Sequence, residues 1–368
     1  MKKKNLCKTL LKTICIVLGI LILALLAYIV YLYASYYRIE DNQELVVEAP
    51  VDDTTTGAAA VLATDTEYSA VTYNIGFGAY LPDYSFFMDG GTSSWAESPE
   101  TVQYAINGAG ELVKSLDPDF ALIQEIDLDA TRSYHTDEYE MLRNLLPEYT
   151  TVFAQNYDSA FLFYPFTQPH GSSRAGLGLF SKYPVSSALR RSFPISTSFS
   201  KFFDLDRCYS VSRIPVDNGK ELVIFNLHMS AYGNSDEIRK GQIEMLCNDM
   251  AKEYETGNYV LCGGDFNHDL KASEEDAENC ESWAFPFPRT ELPEHFDFCL
   301  DLLSSEEKES LWNSARNADM EYVPGVTYTV TLDGFIISDN IECLSYENIN
   351  TGYSYSDHDP VKVEFVLK

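Results

Sequence analysis

Basic residues are scarce in this 368-residue chain, which contains 26 lysines and arginines against 56 aspartates and glutamates. The first 33 residues contain five of the basic residues and no acidic one, so 21 basic and 56 acidic residues leave the remainder at −35. Such a domain repels phosphate backbones and anionic lipids unless metal ions or local basic residues intervene. The composition therefore argues against tight nucleic-acid binding and favours solubility outside the cell.

Two other kinds of pattern are absent. No two cysteines have the CxxC spacing of a zinc site, and no internal repeat indicates a solenoid or propeller. Six of the eight cysteines follow the apolar N-terminal run, and an extracellular domain permits disulfides. Cys280 and Cys299 lie in a loop-rich stretch and are the best candidates for a bridge.

The N-terminus carries a run without any charged residue, Ile14 to Tyr33, which follows five lysines. A helix of about 20 apolar residues crosses a bilayer, whereas the apolar region of a secretory signal has only about 7–15. A cleaved signal is the alternative, since Ala34-Ser35 resembles a cleavage site. Lysines before the span place the N-terminus in the cytoplasm and the rest of the chain outside the cell membrane.

These features predict four segments. They are a cytoplasmic basic N-terminus (1–13), a transmembrane signal anchor (14–33), a flexible acidic linker (34–66) and a folded domain (67–368), whose polar residues are considered next. The last segment, of about 300 residues, is long enough for one large domain with a substantial core.

Polar residues follow several apolar runs of the domain at the points where predicted strands end. Asn74, Glu125 and His228 each end such a run, Asp265 with Asn267 follows another, and Asp357-His358 precedes the terminal strand. Strand ends of a packed sheet bring catalytic groups to one cleft on a rigid scaffold. The pattern predicts an enzyme.

Five short motifs in this order resemble those of the endonuclease/exonuclease/phosphatase superfamily, over about Tyr68 to Lys368. The resemblance implies an α+β fold, a four-layer α/β/β/α sandwich of two mostly antiparallel sheets, here preceded by one transmembrane helix. It also implies divalent-metal-dependent cleavage of phosphate esters. The motifs are Tyr73-Asn74, Gln124-Glu125, Asn226-Leu227-His228, Gly264-Asp265-Phe266-Asn267 and Ser356-Asp357-His358.

The resemblance implies a Mg²⁺ site, with Mn²⁺ as a substitute, because hard oxygen ligands suit these ions. Glu125 is the leading ligand, and Asn74 supports the same metal or the phosphate. His358 is expected to act as general base, with a carboxylate fixing its tautomer. Asp333 and Asp357 compete for the roles of metal ligand and imidazole partner, although Gly334 after Asp333 departs from the family pattern.

The remaining candidates are expected to contact the phosphate. By similarity Asp265 and Asn267 orient the attacking water, and His228 donates to a phosphoryl oxygen or assists the leaving group. The alternative for Asp265 and Asn267, considered alone, is an Asx-turn. The alternative for His228 is a histidine that is part of the core. Arg207 and Arg174 are candidate phosphate contacts, and ordinary surface arginines are the alternative.

The substrate remains open among three classes of phosphate ester. A nuclease or a phospholipid or sphingomyelin phosphodiesterase is the first reading, with nucleic acid or a lipid headgroup as partner. The alternatives are an inositol or sugar phosphate phosphatase and a catalytically inactive scaffold or binding protein. The membrane is the other expected partner, through the N-terminal helix, and no protein partner is implied.

Overall fold

The protein divides into two compact units, Met1–Arg38 and Ile39–Lys368, in a computed structural model. The first unit contains one helix, α1 (Lys2–Ser35), whose segment Leu6–Ser35 is long and apolar enough to cross a membrane. A signal sequence would have the same properties. The structure describes residues 2–52, 61–202, 204–231, 236–273 and 283–368.

Two seven-stranded sheets dominate the second unit within the residues that the structure describes. The first sheet has the order β15-β16-β3-β4-β6-β5-β2 and the second has the order β1-β7-β8-β9-β10-β14-β11, while β12 and β13 pair separately. The strands are β1 (Gln43–Glu44), β2 (Val47–Glu48), β3 (Glu67–Asn74), β4 (Phe120–Ala130), β5 (Thr150–Asp158), β6 (Ser173–Ser181), β7 (Ser187–Ser192), β8 (Cys208–Pro215), β9 (Glu221–His228), β10 (Tyr259–Asp265), β11 (Phe296–Phe298), β12 (Ala315–Arg316), β13 (Thr329–Val330), β14 (Asp333–Ser338), β15 (Ile341–Asn348) and β16 (Val361–Leu367).

Strand pairing is mostly antiparallel, as predicted. Only β3 with β4 and β9 with β10 run parallel within the described sheets. The terminal strand β16 alternates buried and half-buried residues, which is the period of two expected of a strand with one face in a core. The two sheets are thus the sandwich that the motifs predict.

Three of the four α-helices described in the second unit lie on the outer faces of the two sheets. The helices are α2 (Pro99–Leu116), α3 (Glu138–Leu145), α4 (Asp236–Glu255) and α5 (Ser305–Ser310). The first sheet packs against α2 and α3 in one apolar core, and α4 packs on β10 of the second sheet. A larger core lies between the sheets, where residues such as Leu122 of the first sheet and Ile224 of the second are fully buried. The layers therefore follow the order α/β/β/α.

The predicted flexible linker, 34–66, is wrong for part of its length. β1 pairs with β7 at the edge of the second sheet, and β2 pairs with β5 at the edge of the first. The fully buried guanidinium of Arg190 donates to the carbonyl of Glu40 at 3.1 Å, and Leu62 is fully buried in the core between the sheets. Sheet pairing and a buried cation order the described parts of this acidic segment, although its sequence lacks a sustained apolar period.

Only one end of the predicted bridge between Cys280 and Cys299 can be described, because Cys280 lies outside the described residues. Cys299 is buried beside the side chain of Cys343, which contacts its thiol, and neither thiol forms a disulfide with a described residue. Burial is the larger cause that raises the pKa of Cys299 well above its usual value. The proposed bridge between Cys280 and Cys299 stays a prediction.

Candidate active site

Strand ends bring together seven polar residues that the sequence singles out. We call them the central cluster; they are Asn74, Glu125, His228, Asp265, Asp333, Asp357 and His358.

Three members of the central cluster form a row where three neighbouring strands of the second sheet end or begin. Asp265 is the last residue of β10, and the parallel partner β9 places His228 opposite it. The antiparallel partner β14 begins at Asp333, which lies opposite Asp265 on the other side. Parallel strands that end and an antiparallel strand that begins share one sheet edge, so the row follows from the topology.

The first sheet contributes the rest of the cluster by the same rule. Asn74 ends β3, whose parallel partner β4 has Gln124 opposite it, and Glu125 follows directly. β16 runs antiparallel to β3, so the preceding loop with Asp357 and His358 reaches the same edge. The two sheets thus meet at these ends.

Glu125 is turned toward the cluster by an irregularity in its strand. Its φ is +57°, a left-handed conformation that is uncommon for this residue type, and the register with β6 shifts between Ile123 and Ile126. The amide of Asn74 donates to Glu125 Oε1 at 3.1 Å and to Asp265 Oδ2 at 3.1 Å. Asn74 therefore connects carboxylates of the two sheets.

A buried pair, His358 and Asp333, forms the centre of the cluster. His358 Nδ1 lies 2.7 Å from Asp333 Oδ2, which also accepts the hydroxyl of Ser314 at 2.7 Å. Burial alone would lower the pKa of His358, but the charges of Asp333, Asp265 and Asp357 raise it well above its usual value. Of the two carboxylates that the sequence leaves in competition, Asp333 is the one that contacts the imidazole.

Asp265 has one oxygen in a turn and one in the cluster. Its Oδ1 accepts the backbone N–H of Asn267 at 2.8 Å, which is the Asx-turn considered as an alternative. Its Oδ2 lies 3.5 Å from His228 Nε2 and 3.8 Å from His358 Nε2. Burial raises the pKa of Asp265 to about 7, against the opposing charge of His358. The turn and the functional contact coexist.

The glycine before Asp265 is required by a close approach of two strands. Gly264 has φ +146°, and a Cβ there would lie 2.0 Å from the carbonyl oxygen of Leu227. Only glycine fits without moving the backbone.

His228 is buried and close to a buried cation. Burial lowers the pKa of His228 well below its usual value, and the charges of Arg207 and His358 lower it further. Arg207 is 7% exposed, lines the same cavity as the cluster, and has no hydrogen-bond partner for Nε or Nη1 among the described residues. It is not an ordinary surface arginine.

Arg174 is not brought to the cluster. Its side chain is 52% exposed and forms an ion pair with Asp129 at 3.1 Å. It lies on β6 opposite Asp129 of β4, beyond the irregular stretch of β4. The expected phosphate contact from Arg174 is therefore unsupported, because its exposed side chain is paired elsewhere.

The cluster contains two sets of donors that fit a divalent cation. Asp265, Asp333 and His358 each offer a ligand atom, and these atoms lie within 4.8 Å of one another. Burial first, and then the negative charge of Asp357, raises the pKa of Glu125. Since His358 Nδ1 is already bound to Asp333, the Glu125 and Asp357 carboxylates are the better match to a hard cation.

Asn74 fits a supporting role rather than that of a metal ligand. Its amide oxygen accepts the backbone N–H of Gly76 at 3.0 Å, while its amide nitrogen faces the carboxylates of Glu125 and Asp265. The amide thus positions Glu125.

A cavity of about 590 Å³ opens onto the cluster and has walls that sequence reasoning missed. Arg132 is buried beneath it, bound to Asp127 through two hydrogen bonds and stacked 3.7 Å from the ring centre of Phe77. Asn156 and His170 form another part of the wall. None of these residues belongs to one of the five motifs, and their positions depend on loops and on a strand irregularity.

The first motif's aromatic loop contributes the apolar wall. Phe77, Tyr80 and Phe86 line the cavity and pack edge to face on one another. The rings therefore support the cavity through local packing in this loop.

Residues of two motifs connect the sheets below the cluster. Gln124 Nε2 donates to Asn226 Oδ1 at 2.8 Å, and Asn226 in turn donates to the carbonyl of Gly178 at 3.0 Å. These buried amides cross the apolar layer and fix the two sheets to each other.

Comparisons with known proteins agree with this geometry. Residues 71–302 match the model of the Endonuclease/Exonuclease/phosphatase family. A comparison with curated proteins finds no match.

Solved structures share the fold at low sequence identity. An endonuclease/exonuclease/phosphatase from Beutenbergia cavernae has a TM-score of 0.54 at 15% identity, over 82% of this chain and 72% of that one. D. rerio TDP2 complexed with a single-strand DNA product has a TM-score of 0.54 at 14% identity, over 82% and 99%. The mannosyl-6-phosphatase Bt3783 from Bacteroides thetaiotaomicron has a TM-score of 0.50 at 16% identity, over 81% and 99%. Likeness at this level shows the fold alone.

Proposed function

This chain belongs to the endonuclease/exonuclease/phosphatase family, and on that premise we propose that it is a divalent-metal-dependent hydrolase of phosphate esters. One observation carries the proposal: the buried pair of His358 and Asp333 faces Asp265 and His228 at the edge of an open cavity. Buried ionisable groups with strongly shifted pKa values in a cleft are typical of active sites.

Glu125 and Asp357 are the residues we propose to hold Mg²⁺ or Mn²⁺, with Asn74 holding Glu125 in place. A divalent cation supplies charge neutralisation for the phosphoryl oxygens. The raised pKa of Glu125 supports this role, because a half-buried carboxylate near a second carboxylate gains from a cation.

Asp265 is the residue we propose to accept the proton of the attacking water, with Asn267 beside it. Its pKa of about 7 suits a general base at neutral pH. The raised pKa of His358 favours the imidazolium, which suits a donor to a phosphoryl oxygen better than the general base expected from the sequence. His228, kept neutral by burial, donates to another oxygen or to the leaving group, and Arg207 binds the phosphate.

The size and charge of the site favour a compact ester over duplex nucleic acid. A cavity of about 590 Å³ is in the range of small-molecule sites, and the domain carries a large negative charge that repels a polyanion. Single-stranded nucleic acid and lipid headgroups remain candidates that assay can separate.

The test is hydrolysis of p-nitrophenyl phosphate and bis(p-nitrophenyl) phosphate by the full-length protein in detergent. We expect activity with Mg²⁺ or Mn²⁺ and its loss with EDTA. Glu125→Gln should bind the metal more weakly and so need a higher metal concentration for half-maximal activity. The matched control is Glu347→Gln on β15. A protein inert on both esters and on every natural phosphate ester would instead be the scaffold alternative.

We propose further that α1 anchors the protein, with its N-terminus in the cytoplasm and the catalytic domain outside. The uncharged run and the five preceding lysines support this orientation. Protease added to intact cells should degrade the domain. Protection of the domain in intact cells, or a mature protein that begins near Ser35, would contradict it.

A further inference from the structure

We propose that Asn156 and His170, together with one donor of Arg207 that the phosphate does not use, form a second binding subsite, the polar wall, which holds hydroxyl groups on the alcohol portion of the substrate. This inference rests on the proposed hydrolysis and goes beyond it, since it names what the phosphate is attached to. The three residues line the cavity that opens onto the central cluster.

Asn156 is the strongest sign of a ligand at this wall. It is 1% exposed, yet neither its amide nitrogen nor its amide oxygen has a hydrogen-bond partner among the described residues. The register between β5 and β6 shifts between Gln155 and Tyr157, so Asn156 is the extra residue of a bulge. Bulges re-aim a side chain and recur beside active sites. Buried polar groups are normally hydrogen-bonded, and a ligand would complete this one.

Arg207 places two donors beside Asn156. Cys208 Sγ lies 3.8 Å from the carbonyl oxygen of Gln155, so the chain around Arg207 packs against the bulge. The positive charge of Arg207 also acts on His228, and both residues line the cavity that Asn156 lines. Its Nε and Nη1 are the unpartnered atoms.

His170 adds an acceptor. It is 4% exposed, its Nδ1 has no partner among the described residues, and the ring bonds to the backbone of Ser94. Burial and the charge of Arg132 lower its pKa to about 3, so the imidazole is neutral. A neutral ring that donates from one nitrogen accepts at the other.

The balance of donors and acceptors selects the ligand chemistry. The amide of Asn156 and the guanidinium of Arg207 donate, while the amide oxygen and His170 Nδ1 need a donor. An ionised phosphate accepts only, and an alkyl group does neither. A hydroxyl both donates and accepts. The wall therefore fits a group with several hydroxyls, such as a sugar or cyclitol, whether free or at the head of a lipid.

The test compares two esters with the same six-membered ring, myo-inositol 1-phosphate and cyclohexyl phosphate, with the full-length protein and Mg²⁺. We expect kcat/KM to be at least about tenfold higher for the inositol ester. The ratio should fall toward one in Asn156→Leu, which keeps the volume but removes the amide, and in His170→Phe. Asn144→Leu, an exposed asparagine on α3, is the control and should retain the ratio.

A second measurement does not depend on the variants. Free myo-inositol should inhibit hydrolysis of p-nitrophenyl phosphate by the wild type, and cyclohexanol should inhibit at least about tenfold less. Vesicles containing phosphatidylinositol 4-phosphate separate a lipid headgroup from a soluble ester; preference for either supports the wall.

Other outcomes would overturn the inference. A ratio near one in the wild type, a ratio unchanged in both variants, or preferential cleavage of single-stranded DNA would remove the hydroxyl subsite and leave the hydrolase standing. Absence of p-nitrophenyl phosphate and bis(p-nitrophenyl) phosphate cleavage, with both ring esters also inert, would remove the proposed function itself.

Discussion

The central cluster and the polar wall line one cavity but satisfy their polar groups in different ways. In the cluster, side chains bind one another: Asn74 donates to Glu125 and Asp265, and Asp333 binds His358. In the wall, Asn156 binds no described residue through its side chain. The groups proposed for catalysis are therefore held in place by one another, whereas a ligand would complete the polar groups of the wall. Preorganised groups suit catalysis, and unpaired groups suit discrimination.

Asp265→Asn should have the largest effect on the activity of the central cluster. The amide keeps the size of the side chain but cannot accept a proton, so we expect kcat to fall about 10³-fold. The measurement is steady-state hydrolysis of p-nitrophenyl phosphate with Mg²⁺. Asp297→Asn, exposed on β11, is the matched control. An Asp265→Asn enzyme within tenfold of the wild type would show that another group takes the proton.

Asp333→Asn should have the next largest effect, through His358. Losing the carboxylate leaves the imidazole without the charge that holds it, and we expect kcat to fall about 10²-fold with KM nearly unchanged. Kinetics that separate kcat from KM test this positioning role. A rise in KM alone would place Asp333 in substrate binding instead.

Arg207→Met tests both regions, because Arg207 lines the cavity that they share and its charge acts on His228. The variant keeps an apolar side chain of similar length and removes two donors. We expect KM to rise about tenfold, since a charge-assisted hydrogen bond contributes about 1.5–3 kcal/mol. The matched control is Arg174→Met, whose exposed side chain pairs with Asp129. Equal effects of the two variants would contradict the assignment.

Asn156→Leu should stabilise the fold, because the wall, unlike the central cluster, contains a buried amide without a partner among the described residues. The unpaired amide costs about 1–3 kcal/mol on burial, and an apolar side chain of similar volume removes that cost. We expect the free energy of unfolding to rise by about 1 kcal/mol in denaturant titration. A similar gain from Asn144→Leu, or a loss from Asn156→Leu, would argue that the amide has an internal partner.

His170 should make the wall sensitive to acid. The pKa falls from 6.5 to about 3 on folding, so the unfolded chain binds more protons between those pH values. Stability is therefore lost as the pH falls below 6.5, by about 2 kcal/mol at pH 5. His170→Phe should reduce the difference in unfolding free energy between pH 7 and pH 5. An unchanged difference would mean that folding does not lower the pKa of His170.

The central cluster was predictable because short motifs fix residues at strand ends, and the topology then brings the ends together. Asn74, Asp265 and Asp333 are positioned by register alone. The choice between Asp333 and Asp357 was not predictable, since it depends on which side of the imidazole each carboxylate approaches. Sequence does not specify that distance.

The polar wall and the N-terminal strands were not predictable for different reasons. Asn156 reaches the cavity through a bulge, and a shift of one residue reverses the side of the sheet that a side chain faces. β1 and β2 are two residues each and pair only with distant edges. Local composition carries too little signal for either.

One assay tests the central claim most directly: hydrolysis of p-nitrophenyl phosphate and bis(p-nitrophenyl) phosphate by the full-length protein in Mg²⁺, with His358→Ala in parallel. We predict hydrolysis of at least one ester, abolished by EDTA and reduced at least about 10²-fold in the variant. Hydrolysis by the variant at the wild-type rate would contradict the account of the central cluster.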